Sequence, residues 1–123
     1  MIVFDASAVL AYLIGEEGAD EIEMALLSGE TACSSANWSE VVQKSLAAGR
    51  NWSNARDLLL SSGMTIEPVT REDGEWAALY WTDHQSLSLG DRLCLALAHR
   101  LNAEAWTADH SWGKSPGIHQ IRA

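Results

Sequence analysis

Short apolar runs alternate along the chain with longer stretches in which apolar residues recur at helical spacing. Ile2-Val3-Phe4 is too short and too uniformly apolar to alternate, which predicts a buried strand. Ala8, Val9, Ala11, Tyr12 and Leu13 fit a short helix stopped by Gly15. Gly18 to Leu27 places Ala19, Ile22 and Leu26 on one side and acids on the other, and stops at Ser28-Gly29. Thr31 to Ser34 reads as a second strand. A longer helix comes next in ANWSEVVQKSLAAG, with Trp38, Val41, Val42 and Leu46 in register and Gly49 as its stop. NWSNARDLLLSSG is a further helical piece ending at Gly63, and Met64 to Val69 is extended, with Pro68 confining it to an edge or a strand end.

Thr70 to Trp81 is helical despite Gly74, and Gly90 to Leu101 is the clearest helix, with Leu93, Leu97 and Leu101 recurring around Ala96. Ala103 to Thr107 and Ile118 to Ile121 complete the strands. Strands alternating with helices predict an α/β fold on a mainly parallel sheet. The 123 residues suit one domain spanning 1–123, with no linker, repeat or low-complexity tract.

Composition narrows the classes. At 47% hydrophobic the chain is not disordered, and no apolar stretch approaches the ~20 residues that cross a bilayer. No basic segment precedes the first apolar run, so no signal peptide is expected. Cys33 and Cys94 match neither a metal knuckle nor a disulfide framework, and read as buried thiols in a reducing cytosol. The net charge of -9 and pI near 4.7 would repel a nucleic acid unless cations intervene.

Four acids stand where strands give way to helices. Asp5 follows the first strand, Glu40 lies in the first turns of the helix after the second, Asp91 follows Gly90, and Asp109 follows AEAWT. In an open parallel sheet the carboxyl ends of the strands share one edge, where ligands bind. Each acid taken singly is explained by its own helix end: Asn37-x-x-Glu40 and Ser88-x-x-Asp91 fit a capping box, Asp5 caps the helix behind it, and Asp109 starts a turn. Taken together they are also a set of crowded carboxylates, which repel one another unless a proton or a divalent cation intervenes. An all-oxygen set without His or Cys suits Mg2+ or Mn2+ better than zinc.

The opening IVFDASAV, the stretch SANWSEVV, the segment SLSLGDRLCLALA and the late TADHSW together resemble the PIN-domain nucleases, and within them the VapC-type toxins of toxin–antitoxin pairs. The resemblance spans nearly the whole chain. It implies a three-layer α/β/α sandwich and Mg2+-dependent hydrolysis of RNA, with Mn2+ as a substitute. It also implies a homodimer, a cognate VapB-type antitoxin as partner and a cytoplasmic location. Residue by residue it assigns Asp5, Glu40, Asp91 and Asp109 as catalytic and metal-binding, and Ser7 and Thr107 as supports for those carboxylates. No acidic position of the family pattern is lost.

His84, His99, His110 and His119 show no ligand spacing, and only His110 adjoins an acid of the set. Arg92, Lys114 and Arg50 are candidate phosphate contacts. Of the six tryptophans, Trp38, Trp76 and Trp106 are assigned to the core, and Trp52, Trp81 and Trp112 are candidates for a protein interface. A haloacid-dehalogenase-like phosphatase is disfavoured, because it needs an aspartate where Ser7 stands. Two alternatives remain: a PIN-like nuclease outside a toxin pair, acting on other RNA or on DNA, and a non-catalytic acidic module whose carboxylates are only caps.

Overall fold

A computed structural model describes residues 1–123. Its centre is a five-stranded sheet in the order β3-β2-β1-β4-β5, with every pairing parallel. The strands are β1 (Ile2–Phe4), β2 (Thr31–Ser34), β3 (Thr65–Glu67), β4 (Glu104–Thr107) and β5 (Ile118–Gln120). Six helices connect or cover them: α1 (Ala6–Ile14), α2 (Ala19–Ser28), α3 (Ser35–Ala47), α4 (Trp52–Ser61), α5 (Arg71–Trp81) and α6 (Leu89–Arg100). A single 3-10 turn, His110–Trp112, comes after β4.

Both faces of the sheet are covered, which is why the central strand β1 lacks a polar side. In β1, Phe4 faces a core built with Val9, Ile22, Leu26, Val41 and Leu59 from α1 to α4. Val3 faces the opposite core, with Leu95 and Leu97 of α6, and with Trp76 and Tyr80 of α5 packed at its margin. The result is the three-layer α/β/α sandwich. At Gly18, where φ is +95°, an added Cβ would lie 2.8 Å from the Ile121 carbonyl oxygen, so only glycine lets the chain enter α2 so close to the end of β5.

Topology locates the functional edge. The chain steps outward from β1 through β2 to β3, then returns to place β4 on the other side of β1. The order therefore reverses between β1 and β4, and a crevice opens at their carboxyl ends. The register pairs Phe4 with both Cys33 and Trp106, so the residues just beyond these three lie side by side on that edge.

Two local expectations are corrected. Helix α3 begins earlier than the Asn37-x-x-Glu40 capping box implies, because the Ser34 hydroxyl accepts from the Ala36 amide at 3.2 Å and serves as the cap. Trp112 is no interface residue: it is buried in the core against α6. Trp52 packs edge to face on Trp38 with centroids 5.1 Å apart, and Trp81 remains exposed.

Candidate metal centre

Asp5 leaves the core strand and enters a recess at once. Only 3% exposed, its carboxylate is satisfied by short bonds from Ser7, Ala8 and Thr107. Oδ1 accepts from the Ala8 amide at 2.8 Å, which caps α1, and from the Ser7 hydroxyl at 2.8 Å. Oδ2 accepts from the Thr107 hydroxyl at 2.6 Å, and Ser7 also lies 2.9 Å from it. The supports are themselves held: Ser7 Oγ accepts from the Ala108 amide at 2.9 Å, and Thr107 Oγ1 from the Asp109 amide at 3.0 Å. Ser7 and Thr107 thus lock the Asp5 carboxylate between the ends of β1 and β4.

The other three acids surround the same recess. Asp91 sits in the first turn of α6, where Oδ2 accepts from the Ser88 amide at 3.2 Å and Ser88 returns the bond in a full capping box. Asp109 caps the 3-10 turn through the Ser111 amide at 2.9 Å. Glu40, on α3, accepts at Oε1 from Asn37 Nδ2 at 3.1 Å. Asp5, Ser7, Asn37, Glu40, Lys44, Asp91 and Asp109 line one cavity of about 90 Å³. Capping and convergence are therefore compatible, since a carboxylate has two oxygens and roughly four lone-pair sites, and each cap uses one.

Asn37 is the residue that sequence reasoning passed over. It is 1% exposed, and its amide nitrogen also donates to the Gly90 carbonyl at 3.1 Å, tying α3 to the start of α6. Its Oδ1 is buried without a hydrogen-bond partner. Gly90 completes the fit, because a Cβ there would collide with Glu40 Oε1. Arg92 turns away from the recess, donating to the Ala77 carbonyl at 2.8 Å and to that of Leu87 at 3.3 Å, and so pins α5 to α6. His110 is exposed and borders a neighbouring hollow with Lys114.

Electrostatics reflect this placement. Burial pushes the Asp5 carboxyl up to about 6, against the opposing pull of bonds from Thr107, Ala8 and Ser7, and the Asp91 charge adds to the rise. Burial also pushes the Cys33 thiol up to about 12, with Asp5 and Glu40 contributing, so neither a thiolate ligand nor a nucleophile is available from it.

An all-carboxylate donor set with a buried, unpartnered amide oxygen beside it suits a hard divalent cation. The cavity has room for an ion and a few waters, each water occupying about 30 Å³. As the side chains stand, no three Asp, Glu, His or Cys groups close on one point.

The model of the PIN-domain family matches residues 2–116. The chain is a PIN domain. Its architecture agrees with the family's α/β fold and with solved structures of low sequence identity. A toxin–antitoxin complex from Klebsiella pneumoniae superposes with a TM-score of 0.83 at 20% identity, covering 98% of each chain. VapC20 of Mycobacterium tuberculosis, a toxin that cleaves the sarcin–ricin loop, gives 0.70 at 19% identity over 89% of this chain and 90% of that one. VapBC2 of Rickettsia felis, bound to a DNA fragment from its promoter, gives 0.71 at 16% identity over 98% and 97%. No curated protein matches the sequence. At these identities the likeness establishes how this PIN domain is folded.

Proposed function

We propose that this PIN domain is a divalent-metal-dependent endoribonuclease, the toxin of a type II toxin–antitoxin pair, acting in the cytoplasm. The observation that carries the reading is the meeting of Asp5, Glu40, Asp91 and Asp109, from four separate segments, around one recess. The fold shared with toxins of toxin–antitoxin complexes supports the biological setting, and VapC20's cleavage of an RNA loop supports the substrate.

Asp5 and Asp91 would hold Mg2+ or Mn2+, with Glu40 and Asp109 completing the shell through water or at a second ion. A bound divalent cation supplies positive charge at the scissile phosphate and lowers the pKa of water into the neutral range. The chain's own residues do the rest. Ser7 and Thr107 fix the Asp5 carboxylate so that no reorganisation is needed during reaction. Asn37 and Gly90 set the position of Glu40. Ser7 carries the one hydroxyl lining the recess, and it is spent on Asp5 and the Ala108 amide, so hydrolysis proceeds by water without a covalent protein intermediate. A cognate antitoxin would restrain the dimeric toxin, with a basic side chain entering the acidic recess in place of the cation.

The test joins calorimetry and cleavage. Wild type should bind Mn2+ and cut RNA only with metal, and Asp91→Asn should do neither while keeping its circular dichroism. Expression alone should arrest growth, and co-expression with the genomic neighbour should relieve it. Absence of Mn2+ binding at millimolar metal would leave the acids as caps and overturn the reading.

A further inference from the structure

The chain has eight Lys and Arg residues against seventeen acids, and five of those cations are engaged within the protein. Arg56 pairs with Asp57, Arg71 with Glu72 and Glu75, Arg100 with Asp73, and Arg122 with Glu16 at 2.5 Å. Arg92 is spent on two backbone carbonyls. Lys44, Arg50 and Lys114 are left, with no carboxylate within the 4.0 Å of an ion pair.

Two of these three stand at the acid recess or in the hollow beside it, and the third follows Asp109 by five residues. Lys44 lines the recess itself and also a hollow of about 300 Å³ beside it, which Arg50 shares and which Ser7 joins to the recess. The Glu16–Arg122 pair also lines that hollow. Lys114 borders a second hollow of about 320 Å³ with His110, directly after Asp109. Lys44 stands four residues after Glu40 on α3, the favoured order for an intrahelical pair, yet the two make no ion pair. In a chain of net charge -9, unpaired cations next to an acidic recess mark where an anion can approach it.

We infer that Lys44 and Arg50 bind backbone phosphates beside the cleaved bond and that Lys114 binds a further phosphate past Asp109, forming a track for a single-stranded nucleic acid along the recess. This rests on the nuclease reading and adds how the substrate is held. A single strand carries half the phosphate density of a duplex, which is what three cations on an acidic protein can engage.

The experiment measures anisotropy of a short fluorescein-labelled oligoribonucleotide with Ca2+ in place of Mg2+, as salt is raised fourfold. Each lost phosphate contact lowers the slope of log affinity against log salt by about 0.7 for a single strand. Wild type should therefore lose about sevenfold more affinity over that range than Lys44→Gln/Arg50→Gln. Lys114→Gln should lower the slope by about half as much, and Arg71→Gln, equal in charge change but remote, should leave it alone. Equal slopes for wild type and the double variant, or an equal loss from Arg71→Gln, would overturn the track, as would tighter binding of the duplex. Mn2+-dependent cleavage in wild type separates the two ideas. Cleavage with unchanged slopes removes the track and leaves the nuclease; normal slopes without cleavage do the reverse.

Discussion

Asp5→Asn removes one charge and almost no volume, and its effect on stability is set by the recess. A carboxyl raised from 3.8 to about 6 carries an ionisation penalty of about 3 kcal/mol in the folded state at neutral pH. An asparagine escapes that penalty and can keep most of the hydrogen bonds. Its Oδ1 still accepts from the Ala8 amide and Ser7, and its Nδ2 faces Thr107, whose hydroxyl can turn to accept from it and donate toward Ser7 Oγ at 3.3 Å. Allowing about 1 kcal/mol for the weaker acceptor, the metal-free variant should be more stable than wild type by about 2 kcal/mol above pH 6. The sign varies with pH. Below the ordinary aspartate range Asp5 is neutral in folded and unfolded chains alike, and the advantage is absent. Between about pH 4 and 6 the folded wild type retains a proton that the unfolded chain has released, so wild-type stability falls relative to the variant; above that the difference is constant. Urea midpoints in EDTA, for both proteins across this range, measure it. Adding Mn2+ at pH 7.5 should narrow the gap by stabilising wild type alone. A variant less stable than wild type at pH 8, or a difference that ignores pH, would refute the account of Asp5 as a strained buried charge.

Gly90→Ala should separate stability from activity. The helix gains up to about 1 kcal/mol from the better residue, while the new methyl displaces Glu40 and lowers kcat by at least about tenfold, read from melting curves and single-turnover cleavage. Thr107→Val strips a donor from Asp5 and an acceptor from the Asp109 amide, so it should cost about 1–3 kcal/mol by urea denaturation. Asp73 is a buried acid remote from the recess. Burial raises its pKa, but the Arg100 guanidinium at 3.0 Å and the Thr70 amide prevail and hold it below the usual carboxylate range. Its contribution is therefore present at neutral pH and lost as pH falls through that lowered pKa. Asp73→Ala should cost about 2–4 kcal/mol at pH 7 and clearly less near pH 2, by the same urea series.

Much of this arrangement is legible in the sequence because it depends on local rules. Ile2-Val3-Phe4 could only be a strand covered on both faces, and the leucines at 93, 97 and 101 could only serve one side of a helix. Once the sheet is parallel, Asp5 and Asp109 must share an edge. What escaped depends on contacts between distant segments. Asn37 meets the Gly90 carbonyl across 53 positions of sequence, and from sequence it resembles a cap because Glu40 stands three residues on. The true cap, Ser34, is hidden by its place at the end of a strand. Arg92 adjoins Asp91 in sequence, but consecutive helix positions point apart, and its reach to Ala77 carries it out of the recess. Trp112 shows no periodicity because the 3-10 turn that buries it spans only three residues.

The hydrogen bond between Thr107 and Asp5 joins residues 102 positions apart. While the chain is being synthesised, Asp5 emerges about a hundred residues before the hydroxyl that holds it and the strand that walls it in. A partly translated chain therefore carries scattered carboxylates and no assembled recess. Whatever chemistry this edge performs waits until β4 has been made and has docked beside β1.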